Sequence, residues 1–121
     1  MGEVIKWGII GLGNVAHEFA KSFYNTKNAK LIAIASKSEN KLSKFKANFN
    51  IDTNNCHNDY EKLLNNNKVD IVYIALPNSL HYEWVKKSLD FKKHILVEKP
   101  AFINSQETQS IFNHPNFDDF F

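Results

Sequence analysis

The run Gly11-Leu12-Gly13-Asn14-Val15-Ala16 limits the fold more than any other part of the chain. Before it, Val4 to Ile10 is apolar except for Lys6 and Gly8 and rich in β-branched residues, the pattern of a buried parallel strand. After it, Val15, Phe19, Ala20 and Phe23 recur at helical spacing until Asn25 and Asn28 break the pattern. Strand, glycine turn and helix in that order is the context in which Gly-x-Gly-x-x-Gly/Ala has a mechanism. The first glycine makes the tight turn, the second lets a pyrophosphate approach the backbone, and the small third residue lets helix and strand pack closely. Pyrophosphate would then sit on the helix N-terminus, where unsatisfied N–H groups and the macrodipole favour an anion without any charged side chain. Gly11, Gly13, Asn14 and Val15 are the residues expected to make this cradle.

The rest of the chain repeats the alternation. Lys30 to Ser36 reads as a second buried strand, and Ser36 with Glu39 has capping-box spacing for a helix with Leu42, Phe45 and Phe49 inward. A weaker strand around Cys56 and His57 precedes Asn58 and Glu61, again at capping-box spacing, ahead of Leu63 and Leu64. Asp70 to Leu76 is the clearest strand; Pro77-Asn78 ends it, and Ser79 is placed to cap a helix carrying Leu80, Trp84, Val85 and Leu89. Ile95 to Glu98 makes a fifth strand. Asn104 and Glu107 could cap a last helix with Ile111 and Phe112 inward, stopped by His114-Pro115. Strands alternating with helices at this spacing imply right-handed crossovers and an α/β, Rossmann-type doubly wound parallel sheet covered on both faces. In such sheets the ligand lies beyond the carboxyl ends of the strands, which places Gly11 to Asn14, Ser36 to Ser38, Leu76 to His81 and Glu98 to Pro100 around one site.

Composition narrows the function classes. At 121 residues the chain has the size of one domain, residues 1–121, and is short for a complete two-substrate enzyme. A net charge of +2 with scattered lysines argues against a nucleic-acid face, which clusters its cations. Cys56 is the single cysteine and permits no internal disulfide, in keeping with a reducing compartment; it is expected to behave as a small hydrophobe. The opening residues carry no signal-peptide pattern, and no apolar run approaches the roughly 18 residues of a membrane span, so no membrane partner and a cytoplasmic location are expected. The runs Asn54-Asn55 and Asn65-Asn66-Asn67 fall between periodic segments and read as turns. His114, Asp118 and Asp119 lack a second His or Cys at ligand spacing, so no metal is expected. For His17, His57 and His94 the sequence alone identifies no carboxylate or cysteine partner.

The tip of the second strand bears on cofactor choice. NAD-specific domains place a carboxylate on the adenosine ribose about 20 residues beyond the glycines. Here the residues are Ser36, Lys37 and Ser38. Nothing in that trio repels a 2′-phosphate, while two hydroxyls and an ammonium could bind one, so NADP is favoured over NAD.

Four stretches in order, Trp7-Gly8-Ile9-Ile10-Gly11-Leu12-Gly13, Ala35-Ser36-Lys37-Ser38, Leu76-Pro77-Asn78-Ser79-Leu80-His81 and Glu98-Lys99-Pro100, resemble the glucose-fructose oxidoreductase and inositol dehydrogenase (Gfo/Idh/MocA) family of NAD(P)-dependent enzymes. The likeness covers Lys6 to about Phe102. It implies that Leu76, Pro77 and Asn78 line the ribose and nicotinamide end of the cofactor with His81 nearby. It also implies that Glu98 and Lys99 complete the cofactor site, Lys99 being the catalytic residue that orients a substrate hydroxyl or tunes a proton transfer. Pro100 could follow a cis bond. In the family the proton-transfer residues come from a second, α+β domain that forms substrate pocket and oligomer interface. The run Asn116 to Phe121 reads as a cut before that domain, so the small-molecule substrate and a homo-oligomer are expected only of a full-length form. The implied activity is hydride transfer to or from a sugar, polyol or related hydroxyl or carbonyl compound. A stand-alone NADP(H)-sensing module and a non-catalytic remnant are the alternatives.

Overall fold

The computed structural model describes residues 4–97 and 105–117. Strands and helices alternate through them: β1 (Ile5–Ile10), α1 (Asn14–Lys21), β2 (Ala29–Ala35), α2 (Glu39–Phe49), β3 (Cys56–His57), α3 (Tyr60–Leu64), β4 (Ile71–Ile74), α4 (His81–Asp90), β5 (His94–Val97) and α5 (Ser105–Phe112). The strands form one sheet in the order β3-β2-β1-β4-β5, every neighbouring pair parallel. This is the expected doubly wound arrangement. The chain runs from β1 outward through β2 to β3, then crosses back to β4 on the other side of β1.

Period-2 alternation divides the core into two layers. Ile10, Ala33, Ala35, Val72 and Ile74 face one side, where Leu63 and Leu64 of α3, Val85 and Leu89 of α4 and Ile111 of α5 cover them. Ile9, Ile34 and Tyr73 face the other, under Ala16 and Ala20 of α1 and Phe45 of α2. Residues adjacent in a strand thus enter opposite layers, which is why the strands read as continuous apolar runs. Ile9, Ile10, Ile34, Ile74 and Leu89 are at most 1% exposed, and each such side chain contributes about 2 kcal/mol by leaving water. On the second layer Phe19 stacks on Tyr73 with ring centroids 4.0 Å apart, and Trp7 packs against Phe19 and Phe23.

Element boundaries moved where capping decided them. Helix α2 is capped by Ser38, whose Oγ accepts the Lys41 N–H at 3.3 Å, and not by Ser36. Helix α3 is capped by Asp59, whose carboxylate accepts the Glu61 N–H at 2.9 Å, and not by Asn58. Ser79 lies inside a 3₁₀ turn, Asn78–Leu80, and α4 starts at His81 without a side-chain cap. The first helix yields to a second 3₁₀ turn at Ser22–Asn25. Asn104 lies outside the described residues. At the far end of α5, His114 Nε2–H donates to Asp90 Oδ1 at 2.6 Å and the Asn116 amide donates to the Leu89 carbonyl at 2.8 Å, fastening the segment after α5 to α4. Cys56 is half-buried and its Sγ–H donates to the Asp52 carbonyl at 3.4 Å; burial pushes its thiol pKa up, which disfavours the nucleophilic thiolate.

One buried charge holds the opposite end of the sheet. Lys93 is 8% exposed, and its ammonium donates to the carbonyls of Asn66 at 2.8 Å and Val69 at 2.7 Å. Burial lowers its pKa, against a weaker opposing pull from Asp70. Lys93→Met keeps the stem and leaves both carbonyls without this donor. It is expected to destabilise the fold by about 2 kcal/mol in urea unfolding; a change below about 0.5 kcal/mol would mean that water replaces the ammonium.

Candidate functional site

The topology reverses beside β1, because β2 and β4 flank it and leave in opposite directions. Backbone pairing runs to the strand tips there: Gly11 N–H donates to the Ala35 carbonyl at 3.0 Å, Ala75 N–H to Ile10 at 2.9 Å and Ser36 N–H to His57 at 3.1 Å. Beyond those tips opens a cleft of about 640 Å³. It brings together Gly11, Gly13, Asn14 and Val15 from the glycine turn, Ser36, Lys37 and Ser38 from the tip of β2, and Leu76, Pro77, Asn78 and His81 from beyond β4. These are the residues singled out from the sequence, except that Ser79 and Leu80 do not line the cleft and that Glu98, Lys99 and Pro100 lie outside the described residues.

The glycine turn fits an anion on two observations. Gly11 has φ +91°, the left-handed half of backbone space, and its backbone is pressed against the end of β4. Gly13 is the N-cap of α1, with no side-chain hydrogen bond at the cap and no acidic residue in the first turn. A Cβ built at Gly13 meets no atom within 4 Å. The turn therefore leaves open space against the N-terminus of a helix whose first N–H groups lack intrahelical partners. The residues present fit the pyrophosphate of a dinucleotide.

The tip of β2 is held by its own hydroxyls. Ser36, 5% exposed, accepts the Ser38 N–H on Oγ at 3.1 Å, and Ser38 in turn caps α2. Between them Lys37 projects outward, its ammonium 5.3 Å from the centroid of the Tyr60 ring. Lys41, in the first turn of α2, also lines the cleft. The sequence reading passed over it, because its place in the first turn depends on Ser38 being the cap. Tyr60, Tyr73, Ile74 and Ala75 line the cleft as well and were not foreseen. Tyr60 arrives from the far side of β2 through β3 and α3, so no local pattern announces it.

On the β4 side, His81 is 2% exposed and its Nε2–H donates to the Leu76 carbonyl at 2.8 Å. That bond ties the start of α4 to the Leu76-Pro77-Asn78 loop, and Leu80 N–H donates back to the Pro77 carbonyl at 2.9 Å. His81 thus braces the loop that lines the cleft. No Asp or Glu stands among the described residues that line it. Nor do the described residues hold any group of three or more His, Cys, Asp or Glu able to bind a metal ion.

Residues 5–115 match the profile of the oxidoreductase family with an NAD-binding Rossmann fold. The chain belongs to this family. It is an NAD(P)-binding Rossmann domain of that family, as the resemblance implied. Oxidoreductase P35 of Formosa agariphila is 35% identical over 108 residues, covering 88% of this chain and 33% of the relative. D-xylose 1-dehydrogenase (NADP(+)) 2 of Haloferax volcanii is 32% identical over 108 residues, covering 89% and 33%. Among solved structures, the 3-ketoreductase KijD10 from Actinomadura kijaniata, in complex with TDP-benzene and NADP in an open conformation, superposes with a TM-score of 0.82 at 30% identity, covering 91% of this chain and 34% of that one. The chain spans about a third of the length of the curated relatives it matches. No helix among the described residues is long and apolar enough to cross a membrane.

Proposed function

We propose that residues 1–121 form the cofactor-binding domain of an oxidoreductase acting on a sugar, polyol or related hydroxyl or carbonyl compound, with NADP preferred to NAD. The observation that carries the cofactor preference is the lining of the cleft near β2: Lys37 and Lys41 and the hydroxyls of Ser36 and Ser38, with no carboxylate among the described lining residues. A 2′-phosphate there meets cations and hydroxyl donors; an unphosphorylated ribose lacks the carboxylate that would grip its 2′-hydroxyl. The NADP in the names of the Haloferax dehydrogenase and the Actinomadura complex agrees with this reading.

The chemistry that the bound dinucleotide supplies is hydride transfer at its nicotinamide ring. This chain's residues bind and orient it. Backbone N–H groups of Gly13, Asn14 and Val15 receive the pyrophosphate, and Gly11 lets the turn close. Leu76, Pro77 and Asn78, braced by His81, line the ribose and nicotinamide end. By family resemblance Glu98 and Lys99 stand beside them, Lys99 being the residue that orients a substrate hydroxyl or moves a proton. Substrate residues and a homo-oligomer interface belong to a second domain in the full-length enzyme, in the cytoplasm.

Calorimetric titration of the chain with NADPH and, separately, NADH at low salt tests the reading. NADPH is expected to bind more tightly, and Lys37→Ala is expected to weaken NADPH by about tenfold, the size of one lost charge-assisted hydrogen bond, while leaving NADH within about twofold. Preference for NADH would overturn the choice of NADP. Binding of neither would overturn the site.

A further inference from the structure

A lysine at a loop tip is costly to use as a phosphate ligand, because its four-carbon stem must give up its rotamer freedom on binding. Lys37 is exposed, yet its ammonium lies over an aromatic face, 5.3 Å from the Tyr60 centroid. The ring is held firmly. Tyr60 is the first residue of α3, directly after the Asp59 cap, and is 8% exposed. Trp84 of α4 packs against it edge-on at 5.0 Å and 88°. Burial raises the phenol pKa above its ordinary value, so the ring is neutral at pH 7 and brings no negative charge into the cleft. Both Lys37 and Tyr60 line that cleft.

We propose that Tyr60 is the positioning residue for cofactor discrimination: its ring holds the Lys37 ammonium at the cleft wall, where it meets a 2′-phosphate, and so sets how far NADP is preferred to NAD. This rests on the NADP reading above. The ring face attracts the cation from one side and leaves its remaining N–H donors for the phosphate. Tyr60 thereby acts through Lys37, from the start of α3, which packs on the same face of β2. The aromatic ring, and not the hydroxyl, carries the effect.

Dissociation constants for NADPH and NADH, measured by calorimetry on the chain and on Tyr60→Phe, Tyr60→Leu, Lys37→Ala and the Lys37→Ala/Tyr60→Leu double variant, test it. Tyr60→Phe is expected to keep the NADPH:NADH affinity ratio of the unaltered chain. Tyr60→Leu is expected to lower that ratio by about threefold, the size of an exposed cation–π contact, with NADH affinity unchanged. In the double variant the leucine is expected to add nothing to the loss from Lys37→Ala. An equal fall for both cofactors in Tyr60→Leu would make Tyr60 merely structural and overturn the proposal, as would an unchanged ratio. If Tyr60→Leu does not fold, the Tyr60 ring proton resonances are compared between the unaltered chain and Lys37→Ala. A shift is expected, and its absence overturns the contact. Preference of the unaltered chain for NADH would remove the NADP reading and this inference together, whereas NADPH preference with an unchanged ratio in Tyr60→Leu would remove Tyr60's role alone.

Discussion

Gly13→Val is expected to abolish dinucleotide binding, weakening NADPH by at least about a hundredfold, while leaving the chain folded. A Cβ at this position meets nothing within 4 Å, so the added methyls project into open space and not into the core. The backbone asks nothing special either, since φ −92° and ψ −164° lie in the extended region that valine adopts readily. Loss of glycine at an N-cap costs at most about 1 kcal/mol of stability. The open space is nevertheless where pyrophosphate would meet the first N–H groups of α1. Blocking two charge-assisted hydrogen bonds, each contributing about 1.5–3 kcal/mol, gives the expected hundredfold or greater loss. Calorimetry reads the affinity, and a thermal melt shows the fold retained. Affinity within a few-fold of the unaltered chain would mean that the pyrophosphate sits elsewhere.

The order of strands and helices and most of the residues that line the cleft were legible because both follow from local signals. Val4 to Ile10 and Asp70 to Leu76 stood out as apolar runs, and the glycine turn pointed to the end of the sheet at which the cleft opens. The caps were misplaced for a physical reason. A Ser-x-x-Glu spacing says that a cap is possible, but the chosen cap is the residue that takes an extended backbone where the chain leaves the strand. Ser38 does so at φ −97°, ψ 116°, and Ser36 is still tied to β3 through its N–H on the His57 carbonyl. That two-residue difference matters, because it frees Ser36 and Lys37 to face the cleft and puts Lys41 in the first turn of α2. Tyr60 lay beyond local reading altogether. Its place beside Lys37 depends on β3 pairing with β2, and β3 is two residues long. Lys99 was named from resemblance alone, and lies outside the described residues.

Gly11→Ala, two residues before Gly13, is expected to act on the fold. At φ +91° a side chain is strained wherever it points, a penalty of about 1–3 kcal/mol. The new Cβ would also stand 2.7 Å from the Ala75 carbonyl oxygen and 2.8 Å from Leu76 Cδ2. The leucine could turn aside, but the carbonyl belongs to the backbone leaving β4. Moving it disturbs the last rung of the β1–β4 ladder, where Ala75 N–H meets the Ile10 carbonyl at 2.9 Å. Strain and a displaced ladder together are expected to cost about 3 kcal/mol or more, seen as a lower urea midpoint at unchanged slope. A loss below about 1 kcal/mol would mean that the turn adapts and that glycine at position 11 is not required by the fold. The two variants separate roles that the motif combines. Gly11→Ala should lower the unfolding midpoint and weaken binding along with it, whereas Gly13→Val should leave the midpoint nearly in place and remove binding. An effect of Gly11→Ala on affinity without any change in midpoint would instead mean that the first glycine serves the ligand directly and not the fold.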